Sequence, residues 1–164
     1  MSGRPQRLLL DTNVWVDNYL GVRGARTQSR ELVDYCLGTG VGLCVSIPSM
    51  KDIYYRIGAF LKADLRDSGE EVAESAARAI EQIAWKSVLN MTECATLVPM
   101  DFPDIVEARR FHEVHADLED DLVLAACKRA QADYLVTTDR KLLRKGAVAT
   151  LDPTDMLALL KSYD

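Results

Sequence analysis

Aspartates that follow short apolar runs are the residues of this chain whose type and spacing best suit chemistry. Asp11 follows three leucines at residues 8–10, and Asp139 follows the mostly apolar residues 134–138. Such a run is typical of a buried parallel strand, and open α/β sheets bind their ligands just beyond the carboxyl ends of the strands. Carboxylates that converge there repel one another unless a cation lies between them, and their hard oxygen atoms suit Mg²⁺. The two aspartates therefore predict a metal site.

Two more acidic positions could complete this site. Asp52 lies in a helix expected after the second strand, and Asp120 lies in an acidic cluster at residues 117–121. A helix start favours negative charge in any protein, and Asp117 is expected to cap this one. The residues that follow are apolar on every side of the helix, so helical spacing does not choose between Asp120 and Asp121.

Strands and helices alternate along the sequence and must position these acids. Alternation favours an α/β fold in which helices flank a mostly parallel sheet of about five strands. No repeat or linker interrupts the sequence, so a single domain over residues 1–164 is expected. The predicted strands cover residues 8–10, 41–47, 95–98, 134–137 and 148–150, and the predicted helices cover 27–37, 48–67, 70–90, 103–115, 117–132 and a last segment from Pro153.

The bulk composition bounds the kind of protein without choosing a function. The chain has 164 residues, of which 48% are hydrophobic, enough to bury one core. No apolar stretch approaches the roughly 18 residues that span a bilayer, and none follows the basic N-terminus, so neither membrane attachment nor a signal peptide is expected. The four scattered cysteines predict reduced core thiols and a cytoplasmic protein. The net charge of −5 argues against a protein that coats polyanions but allows a local basic groove.

Four segments resemble, in order, the motifs of the PIN-domain nucleases. Residues 8–14 (LLLDTNV) resemble the opening motif, residues 117–126 the third acidic motif and residues 132–139 the fourth, while residues 148–160 are similar to the closing strand and helix. The middle helices, at residues 59–90, are least diagnostic. The resemblance implies a three-layer α/β/α sandwich with acids gathered at one edge of the parallel sheet. It also implies metal-dependent cleavage of RNA.

The resemblance assigns roles to individual acids. It makes Asp11, Asp120 and Asp139 ligands of Mg²⁺ or Mn²⁺ and, together with Asp52, the catalytic acids. Asp52 stands where the family usually has glutamate, and its side chain is one methylene shorter, so a solvated helix face is its alternative reading. The metal would lower the pKa of a bound water and neutralise charge on the phosphorus oxygens, so no serine or histidine nucleophile is required.

Three further residues are expected to support these acids. Asn13 would orient Asp11 through a hydrogen bond, or would be an ordinary turn or capping residue. Thr137 would bind a substrate phosphate or support a carboxylate. Asp121 departs from the family pattern, in which alanine usually follows the third acid, and is expected to be either partly buried or a helper acid.

Basic residues near the acids predict where RNA binds. Arg140 and Lys141 begin a cluster of four cations within six residues, directly after Asp139, and Lys51 and Arg56 flank the segment of the second acid. Phosphate neutralisation supplies most sequence-independent affinity for nucleic acid, which favours an RNA-binding rim around the acids. A solvated helix face is the alternative for each of these residues.

The biological setting comes from the resemblance alone. Small single-domain members of the family often act as the toxin of a toxin–antitoxin pair of the VapBC kind, which implies a cognate antitoxin that covers the acidic site, and a homodimer. A stand-alone RNA-processing nuclease is the nearest alternative. An alternative of another class is a catalytically weak nucleic-acid-binding or protein-interaction module, which the departure at Asp52 favours.

Overall fold

A parallel five-stranded sheet forms the centre of the molecule, with strand order β3-β2-β1-β4-β5. The computed structural model describes residues 3–21, 27–114 and 116–164. Every neighbouring pair of strands is parallel, which confirms the predicted sheet. The strands are β1 (Arg7–Leu10), β2 (Gly42–Ser46), β3 (Thr96–Val98), β4 (Tyr134–Val136) and β5 (Thr150–Leu151).

Helices cover both faces of this sheet, so the predicted three-layer α/β/α sandwich is confirmed. Alternate residues of β1 point to opposite faces: Leu8 and Leu10 join the core formed with α1, α2, α3, α4 and α8, whereas Leu9 joins the core formed with α5, α6 and α7. The helices are α1 (Thr12–Leu20), α2 (Thr27–Thr39), α3 (Ile47–Asp67), α4 (Glu74–Cys94), α5 (Phe102–His112), α6 (Leu118–Arg129), α7 (Arg140–Lys145) and α8 (Pro153–Lys161).

Helix α1 is the main element that sequence analysis did not predict. Its first turns carry the β-branched residues Thr12, Val14 and Val16, which have lower helix propensity than unbranched residues. All three are buried, and α1 packs between α2 and α3. Tertiary packing therefore decides the conformation of this segment, in place of local propensity.

Other differences are shifts of element boundaries. Helix α4 begins at Glu74, because Gly69 has a left-handed φ of +81° and Ala73 is still extended. Strand β5 starts at Thr150, two residues later than predicted. The predicted end of α5 at residue 115 lies outside the described residues, and the helix ends at His112.

The topology brings two strand ends together at a switch point. Strands β2 and β3 extend from one side of β1, and β4 and β5 extend from the other. The backbone N–H of Asp11 donates to the carbonyl of Val136 over 2.9 Å, which ties the end of β1 to the end of β4. Crevices at such switch points are the usual ligand sites of open α/β sheets.

The cysteines and the helix lengths are two features that composition also addressed. The four cysteines are free thiols, three of them buried, and burial raises the pKa of Cys36 and of Cys127 to about 12. Within the described residues, no helix combines the length and apolar character that crossing a membrane would require.

Candidate active site

Thr137 joins the acids that end β1 and β4. Its buried hydroxyl donates a hydrogen bond to Asp11 Oδ2 over 2.7 Å and accepts one from the backbone N–H of Asp139 over 3.0 Å. The other oxygen of Asp11 accepts from the backbone N–H of Thr12 over 2.7 Å. Thr137 therefore supports a carboxylate, which is one of the two roles expected for it.

The charge of Asp11 is held in an unfavourable environment. The side chain is buried, and this burial raises its pKa above the ordinary aspartate value. The hydrogen bonds from Thr137 and Thr12 act in the opposite direction, the charge of Asp139 raises the pKa further, and Arg56 lowers it. A buried carboxylate beside a second carboxylate is stabilised by any cation that binds between them.

Asp139 caps a helix and also faces the site. Its Oδ1 accepts hydrogen bonds from the backbone N–H groups of Lys141, at 2.6 Å, and Leu142, at 3.2 Å, at the start of α7. Both bonds use the same oxygen, so Oδ2 keeps its lone pairs for another ligand. The capping role and a role as an acid of the site are therefore compatible.

Asp52 and Glu119 line one cleft, of about 590 Å³, beside the strand ends. Asp52 lies on α3, half-buried, and its Oδ1 is 3.9 Å from Lys51 Nζ. The pKa of Glu119 is raised by partial burial and then by the charges of Asp52 and Asp11. Glu119 is thus an acid of the site that sequence analysis did not select, because its helix is apolar on every side and its neighbours are also acidic.

The two aspartates that helical spacing could not separate lie in different surroundings. Asp120 is half-buried in the first turn of α6, where its backbone N–H donates to the N-cap Asp117 over 3.2 Å. Asp121 is fully buried, and its Oδ2 is 2.8 Å from Nδ1 of His112 on α5. Asp121 therefore has a partner on the neighbouring helix α5.

The remaining predicted residues surround the acids. The side-chain hydrogen bonds described for Asp11 come from Thr12 and Thr137, so the expected bond from Asn13 is not part of the described site. Asn13 instead lines a groove beside it. Arg140 and Lys141 are exposed on the first turn of α7, directly after Asp139.

The carboxylates suit a hard divalent cation by their chemistry. Among the described residues, no three acidic, histidine or cysteine side chains are close enough together to hold a metal ion by themselves. Mg²⁺ does not need such a cage, since it usually keeps several waters and binds through one or two carboxylates together with substrate phosphates. The pair Asp11 and Asp139 fits an ion bound in that way, because the charge of Asp139 raises the pKa of the buried Asp11 and a cation between them would offset that repulsion.

The fold places acids at the switch point of a parallel sheet, and comparison of the sequence with family models identifies the family of this chain. A sequence model of the PIN domain matches residues 7–141. The chain belongs to the PIN domain family, which confirms the resemblance of its motifs and supports the nuclease class. No curated protein sequence matches the chain.

Several solved structures share this fold at low sequence identity. FitAcB from Neisseria gonorrhoeae superposes with a TM-score of 0.65 at 15% identity, over 90% of this chain and 98% of that chain. VapBC2 from Rickettsia felis, bound to a DNA fragment from its promoter, superposes with a TM-score of 0.63 at 9% identity, over 89% of this chain and 98% of that chain. DNA-bound VapBC from Salmonella typhimurium superposes with a TM-score of 0.62 at 12% identity, over 90% of this chain and 98% of that chain. At these identities the likeness establishes the fold.

Proposed function

We propose that this protein is an endoribonuclease that hydrolyses RNA phosphodiester bonds with the help of a divalent metal ion. The observation that carries the proposal is the Thr137 bridge, which fixes the buried carboxylate of Asp11 next to Asp139 at the switch point of the sheet. Membership of the PIN domain family supports the same class of reaction.

The acids have two parts in the proposed reaction. Asp11 and Asp139 would hold Mg²⁺ or Mn²⁺ directly, and Asp120 would reach the ion through a bound water, because no three such side chains of the described residues are close enough to hold it by themselves. When bound, the metal supplies a water of lowered pKa and neutralises charge on the phosphorus oxygens. Thr137 keeps Asp11 in a fixed orientation, and Asp52, across a cleft from Glu119, is available to accept a proton from the attacking water.

The substrate contacts of the proposal are basic. Arg140 and Lys141 are exposed next to Asp139, where their charges offset those of the acids toward an incoming phosphate. Because the net charge of the protein is −5, its surface as a whole repels RNA, and these local cations would supply the attraction.

We further propose that the protein is the toxin of a toxin–antitoxin pair, acts in the cytoplasm as a single domain, and pairs with an antitoxin and with a second copy of itself. Structures described as VapBC and FitAB complexes share its fold, which supports a protein partner. The free cysteines suit a reducing compartment.

Cleavage of an RNA panel tests the proposal. Purified protein is incubated with single-stranded and structured RNAs in Mg²⁺, in Mn²⁺ and in EDTA, alongside the variants Asp11→Asn and Asp120→Asn. Asp34→Asn is the matched control, because Asp34 is an exposed aspartate on α2 with one weak ion pair at 4.0 Å. We expect metal-dependent cutting by the wild type and the control, and none by the other two variants.

Two results would contradict the proposal. Cutting that persists in both site variants would not depend on Asp11 or Asp120, and it would overturn the catalytic site proposed for this protein. The absence of cutting with every RNA and either metal would favour the catalytically weak binding module, and gel-shift measurements with the same RNAs would then follow.

A further inference from the structure

A groove of about 350 Å³ lies between α1 and α3 and opens beside the acids. Asn13 and Thr138 lie on its wall, and these residues are two positions after Asp11 and one position before Asp139. Arg56 contributes a guanidinium group to the same wall from α3. The groove therefore leads from the surface to the two strand ends, with the cation of Arg56 on the α3 side and the carboxylate of Asp17 on the α1 side.

Arg56 belongs to the acidic site by its position on α3. It lies four residues after Asp52, so the two side chains share one face of the helix. Its charge acts on both Asp11 and Glu119, which belong to two other elements. Among the cations named so far, it is the one described as acting on more than one acid of the site.

The environment of Arg56 differs from that of arginines with a structural role. Arg129, for example, is held by Asp101 at 2.9 Å and by Asp104 at 2.5 Å, and so fastens α6 to α5. Arg56 is exposed, and no ion pair is described for it in the residues that the structure covers. Its donors are thus available to a ligand that enters the groove.

The positive charge of Arg56 weakens metal binding at the acids, and the phosphate of a substrate can offset this effect. A fixed positive charge near Asp11 opposes the binding of a metal ion to the same acids. A phosphate group that arrives with the RNA carries the opposite charge, and the planar guanidinium fork matches two of its oxygen atoms.

We propose that Arg56 positions the RNA phosphate at the acidic site, by binding its non-bridging oxygens in the groove between α1 and α3. The inference rests on the proposed function, because it assumes that RNA is the substrate. It assigns to Arg56 a separate part from that of Arg140 and Lys141, which lie on α7 after Asp139.

The test compares Arg56→Gln and Arg56→Lys with Arg66→Gln. Arg66 is an exposed arginine of the same helix that lines a different cleft, of about 440 Å³, between α3 and α4. Binding of a short single-stranded RNA is measured by fluorescence anisotropy in EDTA, over a range of salt concentrations. Binding of Mn²⁺ alone is measured by thermal shift, and cleavage kinetics are measured in Mn²⁺.

The expected changes in Arg56→Gln have opposite signs for the two ligands. RNA binding weakens by about tenfold, because a charge-assisted hydrogen bond is lost, and the salt dependence of log K falls by about 0.7 for the missing phosphate contact. Mn²⁺ binds at least as tightly as to the wild type, because a repelling charge has gone. Arg56→Lys keeps the charge, so its RNA affinity lies between those of the wild type and Arg56→Gln. Arg66→Gln binds both ligands as the wild type does.

The outcomes separate this inference from the proposed function. If the wild type cuts RNA and Arg56→Gln binds and cuts RNA as Arg66→Gln does, the inference alone is wrong. Weaker binding of both RNA and Mn²⁺ in Arg56→Gln would indicate a structural role and would also overturn it. If the wild type cuts no RNA with either metal, the proposed function and the inference fail together.

Discussion

Thr137 Oγ1 lies 2.7 Å from Asp11 Oδ2, and this hydrogen bond links the ends of two neighbouring parallel strands. Because the same hydroxyl accepts the backbone N–H of Asp139, one buried side chain sets the positions of two acids. Thr137, the residue that follows β4, thus holds the carboxylate of Asp11 and the backbone of Asp139 at the same time.

Replacement of Thr137 by valine tests this linkage. Valine keeps the shape but leaves Asp11 and the Asp139 N–H without their partner, which costs about 1–3 kcal/mol. The hydrogen bond from Thr137 holds the pKa of Asp11 down, so its loss raises that pKa further. We expect a lower melting temperature and an acidic limb of the cleavage pH profile that moves to higher pH. Thr137→Ser keeps the hydroxyl and should restore both properties, and an unchanged profile in Thr137→Val would contradict the linkage.

Asp11→Asn should separate stability from activity. Burial raises the folded-state pKa of Asp11, so above that pKa the charged side chain destabilises the fold in the absence of a cation. In EDTA at neutral pH we expect the variant to melt about 2–4 °C higher, which corresponds to ~1 kcal/mol for a domain of this size. The difference should shrink as the pH falls through the raised pKa of Asp11, because the wild type then becomes neutral too. A variant that melts lower than the wild type at neutral pH would show that the charge of Asp11 is well accommodated.

Asp120→Asn and Asp121→Asn form a matched pair of neighbouring substitutions. Asp121 is buried against His112, so its neutralisation should lower the melting temperature and leave cleavage close to wild type. Asp120 is half-buried and proposed to bind the metal, so its neutralisation should reduce cleavage by about 100-fold and remove the stabilisation by Mn²⁺. Thermal melts and initial cleavage rates of both variants measure these effects. The reverse assignment of the two effects would make Asp121 the metal ligand.

Sequence patterns were sufficient for the sheet and for the acids at its strand ends. Short apolar runs determine β1 and β4 because both strands are buried on two faces, so Asp11 and Asp139 could be placed from local sequence alone. The resemblance to the PIN domain family supplied the layer arrangement, which the structure confirms.

The parts that sequence did not predict depend on tertiary packing. Helix α1 contains β-branched residues and is stabilised by its neighbours. The role of Glu119 depends on how α6 is rotated about its axis, and a segment that is apolar on every side contains no information about that rotation. Arg56 comes near Asp11 only because α3 lies beside α1 in the fold.

The most direct measurement is RNA cleavage in Mg²⁺ by Asp139→Asn and by Asp152→Asn. Both aspartates follow a strand and cap the next helix, and Asp152 accepts the N–H of Asp155 over 2.9 Å at the start of α8. Asparagine caps a helix about as well as aspartate, so both variants should fold, and only the charge changes. We predict that Asp139→Asn loses cleavage by about 100-fold, while Asp152→Asn cuts as the wild type does. Equal activity of the two variants would contradict the claim that the acids at the β1 and β4 ends form the catalytic site.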